Sequence, residues 1–284
     1  MDRAALGHEK ILDRVEQGGA AQLVDARGVR FGARPPFHLR RIVGATPLVG
    51  PLARRVRRAV RGPELAFSRL DAADELGRLG NILNYAKTSD TAYSALPYPA
   101  GYHTVRLADG SEIVGQRDPA RRIELLSVEM SGKTILDLGC NQGGMLFALR
   151  DRIDRGIDVD YDHRMINAAN RLRANLRAAN LDFYVFDLER EPLELIRDLV
   201  PDGRVDVVFL LAVCMWLGNW RRVIDFAHSI STEMIFESNG TQKQQTEQET
   251  YLRARYKAVT LLAGQSEDDP VQKQRKLFHA QTQS

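Results

Sequence analysis

Cysteine is scarce in this chain: two residues, Cys140 and Cys214, stand far apart. That excludes a disulfide framework, and two thiols without further ligands cannot make a zinc site. No apolar run approaches the roughly 18–20 residues that a membrane-spanning helix needs. The longest candidate, Val207 to Gly218, follows Asp206 and suits a buried strand. The opening MDRAALGHEK lacks the charged-then-apolar layout of a secretory signal, so the expectation is a reduced, cytoplasmic chain. Aromatic residues are few, at 7%, yet 44% hydrophobic content over 284 residues suffices for one large domain or two small ones and excludes a mostly disordered chain. Internal repeats and low-complexity stretches are absent.

Acidic residues are also missing from one stretch. The whole chain carries a net charge of +3, but between Arg27 and Arg69 eleven arginines face a single acid, Glu64. Within it, LARRVRRAVR puts Leu52, Val56 and Val60 on one helical stripe, surrounded by Arg54, Arg55, Arg57, Arg58 and Arg61. A basic amphipathic helix over 52–61 is expected. It could lie on an anionic membrane at the inner surface, grip a phosphate-bearing substrate or nucleic acid, or pack on the next domain with its arginines solvated. Residues 1–95 read as short helices broken at Pro35-Pro36, Pro47, Pro51 and Pro63.

Residues 96–130 change texture. In YHTVRLADGSEIVG two alternating runs flank Asp109-Gly110, which predicts a hairpin closed by a tight turn at that dipeptide. Over 131–284 strand-like runs alternate with helical ones, at Thr134–Leu138, Arg155–Val159, Phe183–Phe186, Val205–Ala212 and Met234–Glu237, the rhythm of a parallel α/β sheet. Gln242 to Gln248 reads as an exposed helix start. Ala258–Gly264 and Lys276–Ala280 then follow with no room for a crossover helix, so they should form an antiparallel hairpin at the sheet edge. The expected fold is α/β: a seven-stranded, doubly wound, mostly parallel sheet with an antiparallel terminal hairpin, plus a helical basic amino-terminal region.

The sharpest local signal is TILDLGCNQGG, residues 134–144, a buried strand running into a glycine-containing turn. Gly139 and Gly143 fit positions where the backbone turns tightly against a ligand, with Asn141, which tolerates a left-handed backbone, between them and Cys140 in the same turn. Asp158 follows Asp137 by 21 residues at the end of the second strand, where a carboxylate accepts both hydroxyls of a ribose. Asp187, followed by Leu188, ends the third, placed to accept from an adenine amine. Each aspartate could instead only cap the helix after it. A nicotinamide dehydrogenase competes for this pattern but wants G-x-G-x-x-G, which the spacing of Gly139, Gly143 and Gly144 does not give.

On these residues the chain resembles the class I S-adenosylmethionine-dependent methyltransferases, from Ser131 to about Ala280. The resemblance implies that Asp137 and Gly139 flank the methionine end of the cofactor, that Asp158 holds the ribose with Val159 against the adenine, and that Asp187 reads its amine. YHTVRLADGSEIVGQRD and SGKTILDLGC also look like the lead-in of a subgroup that includes tRNA wobble-uridine carboxymethyl transferases and sugar O-methyltransferases. That likeness implies that the hairpin and Gln116, Arg117 or Arg122 roof the cofactor. The tyrosine-histidine stretch of the wobble-uridine enzymes is replaced here by AVCMWLGNW.

Methyl transfer needs an in-line nucleophile, and a general base is optional. The acceptor is expected beyond the strand ends, at Val213–Trp220 and Glu237-Ser238-Asn239, with Tyr102, Met215, Trp216, Glu237 and Asn239 as its contacts. His103 is the base candidate, since histidine titrates near neutrality; His163 and His228 read as a helix-cap and a helix-face residue. The oxygen ligands of metal-assisted O-methyltransferases are missing after the fourth and fifth strands, so no metal is expected. The reading is a methyltransferase acting on a hydroxyl of a sugar, glycolipid precursor or other secondary metabolite, a small-molecule or lipid-linked acceptor. The alternatives are a tRNA-modifying enzyme and a catalytically silent cofactor-binding module.

Overall fold

The computed structural model describes residues 75–87, 98–126, 128–266 and 274–282. The proline-broken helices expected before residue 75, the basic helix over 52–61 and most of the link between the last two strands lie outside these residues.

Alternating burial builds the sheet. In β3 (Thr134–Leu138) Ile135 faces one side while Leu136 and Leu138 face the other, and all three are buried. β6 (Val207–Leu211) divides Val207 and Phe209 from Val208 and Leu210 in the same way. Both faces are covered, so these strands read as continuous apolar runs. With β4 (Arg155–Asp160), β5 (Leu181–Val185), β7 (Glu233–Glu237), β8 (Ala258–Ala263) and β9 (Leu277–Gln281), the sheet runs β5-β4-β3-β6-β7-β9-β8. β9 pairs antiparallel with both β7 and β8, and the other pairs are parallel. The expected sheet and its antiparallel terminal hairpin are therefore present.

On one face lie α1 (Glu75–Ala86), α3 (Gly144–Leu149) and α4 (His163–Asn175). α1 packs on α4 and buries Leu79, Ile82, Leu83 and Ala86. The other face takes α5 (Trp220–Ile230), which buries Val223, Ile224, Phe226, Ala227 and Ile230, and α6 (Gln242–Arg255), opened by a capping box between Thr241 and Gln244. Strand order reverses between β3 and β6, which opens a crevice at the carboxyl ends.

The lead-in hairpin, β1 (Val105–Arg106) with β2 (Glu112–Ile113), is shorter than its alternation suggests. A tight turn over Leu107–Gly110 closes it, the Gly110 N–H donating to the Leu107 carbonyl, so that Asp109-Gly110 forms the second half of the turn and not its two central residues. Gly110 alone is left-handed, at φ +83°, and a longer connection is held by Leu107 and Ser111. The Asp109 side chain instead accepts from the Ser111 N–H and hydroxyl. α2 (Pro119–Glu124) follows, capped by Asp118.

Candidate functional site

Over the switch point lies a cavity of about 410 Å³. Its floor is the turn after β3, its walls the segments Asp160–Asp162 after β4, Phe186–Arg190 after β5 and Leu211–Leu217 after β6, with Tyr102 from the lead-in above. The turn requires its sequence. Gly139 (φ +86°) and Gly143 (φ +78°) are left-handed, and a Cβ on Gly139 would come within 2.6 Å of the Val213 side chain. Asn141 stands between them at φ +55°, the left-handed conformation that asparagine tolerates. The Gly139 and Cys140 N–H groups both donate to the Val159 carbonyl, which ties the turn to β4.

Under this turn sits a group of acids. Asp137 and Asp158 are paired residues on neighbouring parallel strands, and both are buried. Burial raises both carboxyls well above the ordinary range, aided at Asp137 by the charge of Asp160 and at Asp158 by those of Asp137 and Asp160. Asp158 is 0% exposed, and neither carboxyl oxygen has a hydrogen-bond partner; the Cys140 thiol beside it stabilises it only weakly. Asp160 is nearer the strand end, on the same face by the two-residue period, and forms part of the cavity wall. It accepts from the Asn141 N–H at 2.8 Å and the Asp162 N–H at 2.9 Å, yet burial still pushes it up to about 6. Asp187 lines the cavity while accepting from the Glu189 and Arg190 N–H groups, so capping and exposure to a ligand coexist.

The structure brings together Tyr102, Gly139, Asn141, Asp187, Leu188 and Trp216 on the cavity wall. It leaves Asp137, Cys140, Gly143, Asp158 and Val159 behind the turn, buried. Several residues expected at the site point elsewhere. Glu237 is buried in the interior, accepting from Arg117 at 2.8 and 2.9 Å and from Arg122 at 3.1 and 3.2 Å, with Ser266 donating at 2.8 Å. Arg122 therefore fastens the lead-in to β7 instead of roofing the cavity, and the Gln116 N–H donates to the Gly101 carbonyl beside it. Arg117 and Arg275 also reach the Tyr102 hydroxyl, each at 3.4 Å.

His103 is buried away from the cavity wall, its ring against Gly144 and 4.5 Å from that of Tyr102. Burial and the Arg117 charge push it down to about 3, and Nδ1 has no partner. A base acting on an acceptor must reach the cavity, and this ring does not. Asn239 is buried as a clamp: its amide donates to the Ala212 carbonyl and its oxygen accepts from the Met215 N–H at 2.9 Å. That clamp holds Ala212, a cavity residue, at φ +60°, a strained conformation for alanine. Met215 thus meets Asn239 through its backbone, while Trp216 faces out at the cavity mouth, 52% exposed.

Val213 lies in the loop expected at the site, but sequence reasoning passed over Asp160, Tyr161, Phe186 and the Glu189-Arg190 pair. Asp160 was within reach of it, because residues two apart on a strand share a face and the later one lies nearer the carboxyl end. His163 opens α4 directly after its cap Asp162, and His228 on α5 packs edge-on against Tyr256. Among the described residues no His, Cys, Asp and Glu group is arranged to hold a metal ion, and no helix is long and apolar enough to cross a membrane.

The cavity fits a cationic nucleoside-containing ligand: left-handed glycines where a Cβ would intrude, carboxylates on two walls and, behind the turn, a buried carboxylate with both acceptors unused. The family described as "Methyltransferase domain" matches residues 129–282, more than half of the chain. A comparison with curated proteins returned no match. Among solved structures, the N-terminal domain of EvdMO1 with SAH bound is 13% identical, with a TM-score of 0.47, over 58% of this chain and 81% of that one. WbdD, in a co-crystal with a kinase inhibitor, is 16% identical at 0.47 over 59% and 42%. The precorrin-6y C5,15-methyltransferase of Geobacter metallireducens GS-15 is 12% identical at 0.44 over 57% and 87%. With its sheet order, glycine turn and family match, the chain belongs to the methyltransferase-domain family and is a class I S-adenosylmethionine-dependent methyltransferase.

Proposed function

We propose that the chain methylates a hydroxyl group on a neutral, polar acceptor of the sugar or secondary-metabolite type. The observation that carries this is the charge of the cavity. Among the described residues its wall holds Asp160, Asp162, Asp187 and Glu189 against one cation, Arg190. Such a wall attracts a cofactor bearing sulfonium and ammonium charges and repels a phosphodiester chain. Trp216 and Tyr161, both exposed at the rim, offer aromatic faces to a sugar ring.

When bound, S-adenosylmethionine supplies an electrophilic methyl group. In this reading Asp158 accepts the two ribose hydroxyls, Asp187 accepts from the adenine amine with Leu188 against the ring, and Asp137 stands near the methionine end. Asn239 fixes the Ala212–Met215 turn and so sets where Trp216 presents the acceptor. Positioning provides the rate enhancement, and no side chain is assigned as base. The test is transfer of isotopically labelled methyl to free sugars, nucleotide sugars, glycolipid precursors and bulk tRNA. An acid-stable methyl ether on a sugar is expected, and label in tRNA alone would overturn the reading.

Asp160 adds a pH dependence. It is ionised above about 6 and protonates as the pH falls through that value, which removes a negative charge from the cavity wall. S-adenosylmethionine should therefore bind about threefold more weakly at pH 5.5 than at pH 7.5, because with a pKa near 6 only about a quarter of Asp160 is ionised at the lower pH. Calorimetry on Asp160→Asn should give a flat profile over that window; an unchanged slope would assign the titration elsewhere.

A further inference from the structure

The two loops that face each other across the cavity come from β5 and β6, which have β4 and β3 between them in the sheet. Contact between these loops is therefore made above the sheet, by side chains. Arg222, in the first turn of α5, donates to the Leu188 carbonyl through Nη2 and to the Glu191 carbonyl at 3.3 Å through both terminal nitrogens. Glu189 reaches back in the other direction: the Gly218 N–H donates to its Oε2 at 3.1 Å. The fit is close, since a Cβ on Gly218 would stand 3.0 Å from Glu189 Oε1. Leu188 and Glu189 belong to one cavity wall and Trp216 to the other.

We propose that Arg222 and Glu189 are positioning residues that couple the adenosine end of the site to the acceptor-side loop, so that seating the cofactor sets the arrangement of residues 214–220. The inference rests on the reading of Asp187 and Leu188 as cofactor contacts. A ligand held by Leu188 fixes the carbonyl that Arg222 grips, and Arg222 stands only two residues from the start of its helix. The planar guanidinium fork spans two carbonyls, which a lysine ammonium cannot do in one geometry. By linkage, whatever the cofactor does to the acceptor loop the acceptor does to the cofactor, so cofactor and acceptor should strengthen each other's binding by about fivefold or more.

The chain's two tryptophans, Trp216 and Trp220, both lie on or next to this loop. Trp216 lines the cavity and a ligand could quench it directly, so the experiment uses the Trp216→Phe background. There Trp220, packed against Tyr251 and Arg221, is the only reporter. S-adenosylhomocysteine is titrated with calorimetry and tryptophan emission read in parallel. The expected result is an emission change that saturates with the calorimetric Kd. It should be lost in Glu189→Ala and Arg222→Ala, lost in Arg222→Lys, and retained in Glu189→Gln, which keeps an oxygen for the Gly218 N–H. Glu189 is exposed, so its variants fold whether or not Arg222→Ala does. A full emission change in the alanine variants that bind the ligand would overturn the coupling. Absence of calorimetric binding to the parent would overturn the cofactor reading, and the coupling with it.

Discussion

Glu237→Ala should lower the melting temperature by roughly 10 °C, a loss of about 3–5 kcal/mol, the range for breaking a buried ion pair by removing one partner. The Glu237 carboxylate is 2% exposed and holds the buried side chains of Arg117 and Arg122, with Arg275 at 4.0 Å. Its removal takes a shared counter-charge from guanidiniums that cannot neutralise themselves by losing a proton. Glu237→Gln keeps the shape and one acceptor oxygen and should lose less, because only the charge goes. The effect reaches beyond stability. Arg117 and Arg275 both hold the Tyr102 hydroxyl, so loosening the cluster should also release Tyr102 from the cavity wall. Differential scanning fluorimetry on both variants checks this. A fall of less than about 2 °C in Glu237→Ala would mean that the cluster keeps its order through its other contacts.

This cluster also marks where the sequence stops being legible. The carboxyl-terminal sheet was readable because its signals are local: apolar runs of strand length, turn residues between them, and too short a stretch between Ala263 and Leu277 for a crossover helix. The glycine turn was readable for the same reason, since left-handed backbone at Gly139 and Gly143 admits few residues. Glu237 carried no local mark of its fate. It ends a strand at the carboxyl edge, as a ligand-binding acid would, and Arg117 lies 120 residues earlier in the chain. Only the docking of the lead-in onto β7 decides that these side chains meet, and that docking is tertiary. His103 misled in the same way. The ring does not face the cavity but packs behind Gly144, where burial keeps it neutral and out of reach.

Asp158→Asn should act with opposite signs on stability and on cofactor binding. In the folded chain the Asp158 carboxyl is fully buried, without a hydrogen-bond partner and beside Asp137, all of which raise its pKa above that of the unfolded chain. Between the unfolded value near 4 and the raised folded value, the native state binds the additional proton. Stability is thus lost as the pH rises through this window, the reverse of a salt-bridged carboxylate. An amide of the same shape removes that penalty. At pH 7.5 the variant should melt at least about 4 °C higher than the parent, and its melting temperature should vary less between pH 4 and pH 8. The same change replaces the acceptor of two ribose hydroxyls by a group with one acceptor oxygen. Neutral hydrogen bonds are worth about 0.5–1.5 kcal/mol each, so S-adenosylhomocysteine affinity should fall about tenfold. A scaffold carboxyl would lose stability on substitution and leave affinity intact, whereas a carboxyl kept unpaired for a ligand gains stability and loses the ligand. A calorimetric titration and a pH series of melting curves on one variant separate the two, and a destabilised Asp158→Asn with unaltered affinity would assign Asp158 to the scaffold and the ribose to another acid on the wall.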